Sequence, residues 1–300
     1  MKGVFYRNLV RAARRWGPGV FALAARGIAA GYFFLFPARV AASVRFYRTA
    51  FPEKGGLFPL WSAWRQFQNF TTVYLDRFLL RETGDIRYTF SGWELLEKAA
   101  DSGTGGVLLM SHQGNWEVAA ALMIQRRPGL KILLYMGRDD KEEIEQIHRA
   151  DAAGDDIRIL AVEKEGGSPF DILEGIRFIQ EGGLVALTGD RLWRPDQRAV
   201  SASFFGHRVL LPETPYLFAH MAGAPLFVFF SSRSGPRRYH FRIAGVISLP
   251  PANRRQRAAV VATAAQQYAD LLAEEIRRHP SQWYHFGPFL GPRRPRTGPL

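Results

Sequence analysis

A short polar segment in the first half of the chain combines side-chain types that suit acyl transfer. It reads Ser111-His112-Gln113-Gly114-Asn115-Trp116-Glu117. The imidazole of His112 takes up and releases a proton near neutral pH, as a general base must. A turn at Gly114 would fold the Glu117 carboxylate back onto that ring. The carboxylate would then orient the ring and leave its other nitrogen free to act as the base.

The elements on either side of this segment favour the chemical interpretation over a surface pair or a structural histidine. Residues 105–110 are a short apolar run that predicts a buried strand, and residues 116–126 predict a helix. In open α/β sheets, ligands bind where strands end and helices begin. Free backbone N–H groups at the start of the helix would also suit developing negative charge.

A second polar segment, Gly189-Asp190-Arg191-Leu192-Trp193-Arg194, follows a predicted strand at 184–188. It should therefore lie at the same edge of the sheet as His112. Asp190 is placed to hold His112 or to position an acceptor, and Arg191 to neutralise an oxyanion or a phosphate. The alternative is an ordinary Asp-Arg salt bridge at the end of a strand.

Ser-His-Gln-Gly-Asn-Trp-Glu resembles the His-four-residues-Glu signature of the bacterial lipid A late acyltransferases, a branch of the lysophospholipid acyltransferase superfamily. The resemblance covers roughly residues 60–290, and it extends to Gly-Asp-Arg at 189–191, Phe-Phe-Gly at 204–206 and Gly-Ala-Pro at 223–225. Arg138 resembles a basic position that the family uses near its donor or acceptor phosphates, although an exposed arginine is an equal reading. The resemblance implies catalytic roles for His112, Glu117 and Asp190, and substrate contacts for Gly114, Asn115, Arg138 and Arg191.

The implied activity is transfer of a fatty acyl chain to a hydroxyl group of a lipid or glycolipid, such as a lipid A precursor. The co-substrate would be a thioester of acyl carrier protein or CoA, with no further cofactor and no metal. The chain has Glu213 where the family usually has a small residue, which leaves the acceptor pocket open. Trp283 resembles part of a C-terminal Gln-Trp element and is expected to serve packing.

Composition narrows the classes of partner. The 300 residues carry a net charge of +13, which calls for an anionic partner. Anionic membrane, acidic carrier protein and nucleic acid all qualify, but the arginines are scattered, which disfavours nucleic acid. There is no cysteine, no zinc-ligand cluster, no glycine-rich nucleotide loop and no Gly-x-Ser-x-Gly motif. Catalysis without a covalent intermediate is then the simplest scheme.

Residues 1–50 predict a membrane-associating region. A basic segment precedes an apolar stretch at 17–36 that is long enough to cross a bilayer. Arg26 interrupts the stretch, and positive charge flanks both ends. We therefore expect a helix lying in the membrane interface, with a true span or a buried soluble helix as alternatives. The resemblance places the protein at the cytoplasmic face of the bacterial inner membrane.

The remainder of the chain alternates between predicted strands and helices, which indicates an α/β fold with a mainly parallel central sheet flanked by helices. We expect helices at 59–82, 92–101, 140–150, 168–181, 214–223 and 253–279, and strands at 88–90, 131–136, 157–162, 226–230 and 239–249, the last possibly at an edge. The acyltransferase domain would span 51–290, followed by a flexible tail at 291–300. The sequence leaves the oligomeric state open.

Two further functions remain compatible with these residues. A lipid esterase or phospholipase would use the same site with water as the acceptor. A non-catalytic membrane-binding protein would not need His112 at all.

Overall fold

The structure is a computed structural model that describes residues 2–137, 157–162, 169–192, 194 and 196–293. Arg138, the predicted helix at 140–150 and most of the predicted tail lie outside the described residues.

The described residues contain nine strands, which form two sheets. They are β1 (Arg87–Ser91), β2 (Gly106–Met110), β3 (Ile132–Gly137), β4 (Ile157–Val162), β5 (Leu184–Thr188), β6 (Ala199–Phe204), β7 (His207–Pro212), β8 (Leu226–Gly235) and β9 (Arg238–Ile247). The main sheet has seven strands in the order β1-β9-β8-β2-β5-β3-β4, and β6 and β7 form a separate antiparallel hairpin. Within the main sheet only β8 and β9 pair antiparallel; every other neighbouring pair of these strands is parallel.

The strand at 238–247 is not at the edge of the sheet. β9 lies between β8 and β1, and the short β1 takes the outer position. Buried residues alternate with more exposed ones along β9, which is a pattern that an edge strand can also show. Here, however, β1 pairs with the hydrogen-bonding side of β9 that would otherwise be open.

Helices follow or precede most strands. They are α1 (Lys2–Trp16), α2 (Pro18–Leu35), α3 (Pro37–Ala50), α4 (Phe58–Thr83), α5 (Trp93–Asp101), α6 (Trp116–Arg126), α7 (Pro169–Gln180), α8 (Thr214–Ala222) and α9 (Arg257–Arg278), with a short 3-10 turn at Pro280–Gln282. Pro37 ends α2 because proline lacks the N–H that would continue the helix.

Two apolar layers sandwich the main sheet. Successive residues of β2 alternate between them: Val107 and Leu109 face the layer that contains α9, while Leu108 and Met110 face the layer that contains α5 and α6. Strands covered on both faces are continuously apolar, as β2 is. The predicted α/β fold is confirmed.

The N-terminal helices pack on α4 and the main body. Phe21 of α2 stacks on Phe78 of α4 at 5.3 Å between ring centroids, and Tyr47 of α3 is completely buried. Among the described residues, α2 is the one helix long and apolar enough to cross a membrane. Only 17% of its residues, Pro18–Leu35, are buried. The division of the chain at residue 50 stays a prediction.

Candidate active site

His112 and Asp190 meet at the carboxyl ends of two neighbouring strands. β2 pairs with β5 in a register that sets Met110 beside Thr188, so each of the two polar residues lies two positions beyond its strand. The Nδ1 atom of His112 is 2.8 Å from Oδ1 of Asp190, and the His112 backbone N–H donates to Oδ2, also at 2.8 Å. The expected convergence of the two segments is therefore present.

Asp190 is fully buried, whereas the His112 side chain keeps about a quarter of its surface exposed. Burial alone would raise the pKa of the Asp190 carboxyl. The charge of His112 and the hydrogen bonds from His112 and Trp283 outweigh it, so the pKa lies well below its ordinary value. An ionised carboxylate on Nδ1 favours the tautomer with the proton on Nδ1, which leaves Nε2 able to accept a proton.

Trp283, near the C-terminus, also donates a hydrogen bond to Asp190. Its indole N–H donates to Oδ2 of Asp190 at 2.7 Å, and the residue is 1% exposed. The backbone around Trp283 pairs with residues 111–115, the histidine loop between β2 and α6. Tyr284 N–H donates to the His112 carbonyl at 2.8 Å, and Gly114 N–H donates to the Gln282 carbonyl at 2.9 Å. The C-terminal segment thus clamps the loop and the carboxylate together.

Gly114 and Asn115 shape the turn that leads into α6. Gly114 has φ +67°, and a Cβ there would lie 1.9 Å from the carbonyl oxygen of Ser231, so only glycine fits. The Asn115 side chain caps α6 by accepting from Val118 N–H at 3.3 Å, and it donates to the Val73 carbonyl at 3.2 Å. Both residues position the loop; direct substrate contact by them stays a prediction.

Glu117 lies elsewhere than on the histidine ring. It forms a partly buried ion pair with Arg77 of α4, and its expected contact with His112 is not among the hydrogen bonds of the described residues. Glu117 lies in the first turn of α6, which faces α4, whereas the Nδ1 edge of the ring faces the end of β5. A catalytic role for Glu117 stays a prediction.

The backbone amides of residues 112–115 are engaged within the protein, whereas the expected role of free amides at the start of α6 stays a prediction. The N–H groups of residues 112–115 donate within the protein, to Asp190, Ser111, Gln282 and Ser231 in that order. Arg191 is the nearby cationic candidate for developing negative charge. One of its nitrogens donates to the Tyr284 carbonyl at 2.9 Å, which leaves further N–H groups of the guanidinium for a ligand.

An open cavity of about 860 Å³ reaches Asp190, the carboxylate of the pair. Asp190 and Arg191 line it, together with Arg39 of α3, Arg208 of β7 and residues 285–292 of the C-terminal segment. Its size falls within the range of small-molecule sites. In the part of the chain that the structure describes, no group of three or more His, Asp and Glu side chains is arranged to hold a metal ion.

Sequence reasoning missed three contributions to the site. Trp283 was expected to serve packing, Arg39 was interpreted only as a positive charge that flanks the apolar stretch at 17–36, and Arg208 was not distinguished among the 40 basic residues. These residues reach the site only through the tertiary fold, because each belongs to an element distant in sequence from His112. Only the Gln-Trp resemblance at 282–283 pointed toward the site.

Comparisons with known proteins place the sequence among acyltransferases. Residues 67–289 match the family described as bacterial lipid A biosynthesis acyltransferase. The chain is also 24% identical over 225 residues to the phosphatidylinositol mannoside acyltransferase of Mycobacterium tuberculosis, in each of two strains. That match covers 75% of this chain, and 66% of the relative, so the chain spans about two thirds of the length of these relatives.

The family match extends over most of the chain and includes every residue of the histidine pair and its clamp. The expectation drawn from the motif at 111–117 is thereby confirmed at the level of family. The chain belongs to the bacterial lipid A biosynthesis acyltransferase family.

Proposed function

We propose that the protein is an O-acyltransferase that moves a fatty acyl chain from a thioester of acyl carrier protein or CoA to a hydroxyl group of a glycolipid. The observation that supports it best is the His112–Asp190 pair beside a large cavity. The acceptor class follows the names of the family and of the mycobacterial relative, which act in lipid A biosynthesis and on phosphatidylinositol mannoside.

In this scheme His112 is the general base. With Nδ1–H donated to Asp190, Nε2 takes the proton of the acceptor hydroxyl as its oxygen attacks the thioester carbonyl. The C–O bond forms, the carbonyl becomes an oxyanion, and we assign Arg191, which lines the cavity beside Asp190, to oppose that charge. The C–S bond then breaks, and the imidazolium returns its proton to the thiolate.

The N-terminal helices would hold the enzyme at the cytoplasmic face of the bacterial inner membrane. Large apolar side chains of α2 and of the start of α4 are exposed; they include Leu23, Phe34, Leu35, Leu57 and Trp61. Arginines flank them, and the chain as a whole carries +13 charges. Apolar insertion combined with attraction to anionic lipid is the usual basis of interfacial binding.

The test is product identification. The purified protein, supplied with acyl carrier protein or CoA thioesters and a glycolipid extract, should yield glycolipid heavier by one acyl chain in mass spectrometry. His112→Ala, shown to be folded by circular dichroism, should not. Release of free fatty acid with no acylated lipid would assign the site to an esterase instead.

A further inference from the structure

The cavity at Asp190 carries an excess of positive charge. Three guanidinium groups line it, from Arg39 of α3, Arg191 after β5 and Arg208 of β7. Within the described ranges none of the three forms an ion pair with a carboxylate. The carboxylate in the lining, Asp190, is already committed to His112 and Trp283.

His285, which also lines the cavity, adds no charge of its own. Burial lowers the pKa of His285 to about 4, so its ring is neutral at pH 7. Arg208 donates through Nε to the Ser201 hydroxyl at 2.9 Å, which orients the guanidinium and leaves its other N–H groups for a ligand. Arg39 stands over the ring of Phe36, with 5.6 Å between the guanidinium carbon and the ring centroid.

The remaining walls are apolar. Phe286, Phe289 and Leu290 come from the C-terminal segment, Leu192 from the segment after β5 and Leu210 from β7. A ligand that fills this space must be amphipathic, with an anionic group for the arginines and a hydrocarbon part for the aromatic wall. Arginine matches phosphate in particular, because its planar fork offers paired N–H donors to two oxygens.

We propose that Arg39, Arg191 and Arg208 form a phosphate-binding site for an amphipathic substrate, which they hold beside His112. That the bound molecule is a substrate rests on the proposed function, whereas the existence of an anion-binding site does not. A phosphate ester could belong to the acyl donor, as in CoA or a phosphopantetheine arm, or to the head group of the acceptor lipid. The site brings together α3, the segment after β5 and β7, so the N-terminal region would contribute directly to substrate binding.

The first experiment measures anion binding without turnover. Inorganic pyrophosphate is titrated into the full chain in detergent by calorimetry, and the titration is repeated with Arg39→Gln, Arg208→Gln and the double variant. Each lost charge-assisted contact should weaken binding about tenfold, and Arg39→Lys with Arg208→Lys should recover part of it. Arg254→Gln, an exposed arginine outside the cavity lining, is the matched control and should bind as the parent does.

The second experiment identifies the source of the phosphate. If the donor carries it, the double variant raises KM for acyl-CoA and leaves KM for the acceptor unchanged; if the acceptor carries it, the two results are reversed. Equal pyrophosphate affinity in the parent and in the folded double variant would overturn the proposal. Loss of pyrophosphate binding in a protein that transfers no acyl group would keep the anion site and reject the proposed function.

Discussion

At the scale of single residues, Asp190 is the centre of the site, because three donors converge on one buried carboxylate. Two come from His112 and the third from the indole of Trp283. A buried charge without enough hydrogen bonds would be costly, so these donors keep Asp190 ionised and in place. The orientation of the imidazole depends on all three.

Trp283→Phe tests whether the indole positions the carboxylate. The ring shape is kept and the hydrogen bond is lost, so we expect kcat to fall about tenfold or more while KM stays unchanged. Phe204→Leu is the control, since Phe204 is a buried neighbour whose ring lies 6.2 Å from that of Trp283. It should lower the unfolding temperature but not kcat. Equal kcat values for the two variants would leave Trp283 with packing alone.

His285 makes stability depend on pH. Its pKa is lowered by burial from the ordinary 6.5 to about 4. Below about pH 6.5 the unfolded chain binds a proton that the folded chain refuses, so the free energy of unfolding should fall as pH drops from 6.5 to 4, by about 3 kcal/mol for this group. Denaturant unfolding at several pH values measures it. In His285→Gln the slope should be smaller, and an unchanged slope would contradict the assignment.

Much of this residue-level picture was accessible from the sequence. His112 and Asp190 were both selected because each follows an apolar run that reads as a strand, and parallel strands end at one edge. Which carboxylate lies on the ring was not accessible. Glu117 is five residues from His112 and Asp190 is 78 away, yet register between β2 and β5 favours the distant one.

At the scale of elements, α4 and α6 are joined by the Arg77–Glu117 ion pair. The pair fixes the start of α6, and Asn115 in turn connects that start to Val73 of α4. Both contacts lie directly behind the histidine loop. Any movement of α6 away from α4 would therefore move the loop.

Glu117→Ala and Arg77→Ala should have matching effects, because each removes the same contact. We expect similar losses of kcat, and a double variant little worse than either single one. Neither should change the pH profile, since neither side chain bonds to the histidine ring. Steady-state kinetics over a pH series gives both results. A large loss for Glu117→Ala alone, or a shifted pH optimum, would indicate that the carboxylate acts on the chemistry directly.

The β6–β7 hairpin could not be predicted from local sequence patterns. Its two-residue turn is Phe205-Gly206, with φ +48° and +77°. Turns of this kind usually contain Asn-Gly or Asp-Gly, so Phe-Gly gave no hairpin signal. The C-terminal clamp likewise has no local signature, because its hydrogen bonds join residues about 90 to 170 positions apart. The main alternation of strands and helices, in contrast, follows from periodicity alone.

At the scale of the whole molecule, exposed apolar side chains concentrate in the N-terminal helices. Phe34 and Leu35 are 74% and 76% exposed at the end of α2. Such exposure is unfavourable in water and favourable at a lipid surface. The positive charge of the chain adds attraction to anionic lipid.

Vesicle sedimentation tests this surface. The protein should bind vesicles containing anionic phospholipid more tightly than neutral ones, and salt should weaken binding because it screens the charge. Phe34→Ser with Leu35→Ser should reduce binding at every salt concentration. Leu173→Ser is the control, a leucine on α7 that is 51% exposed outside this region. Equal loss in the control would argue against a dedicated membrane surface.

The central claim is that His112 and Asp190 act as one catalytic unit. The direct measurement is a double-mutant cycle in kcat with His112→Ala, Asp190→Ala and the double variant, each checked for folding by circular dichroism. We predict a loss of about 10²–10⁴-fold for His112→Ala, a large loss for Asp190→Ala, and a double variant no slower than His112→Ala. Near-parental turnover in folded His112→Ala, or losses that simply multiply, would contradict the account.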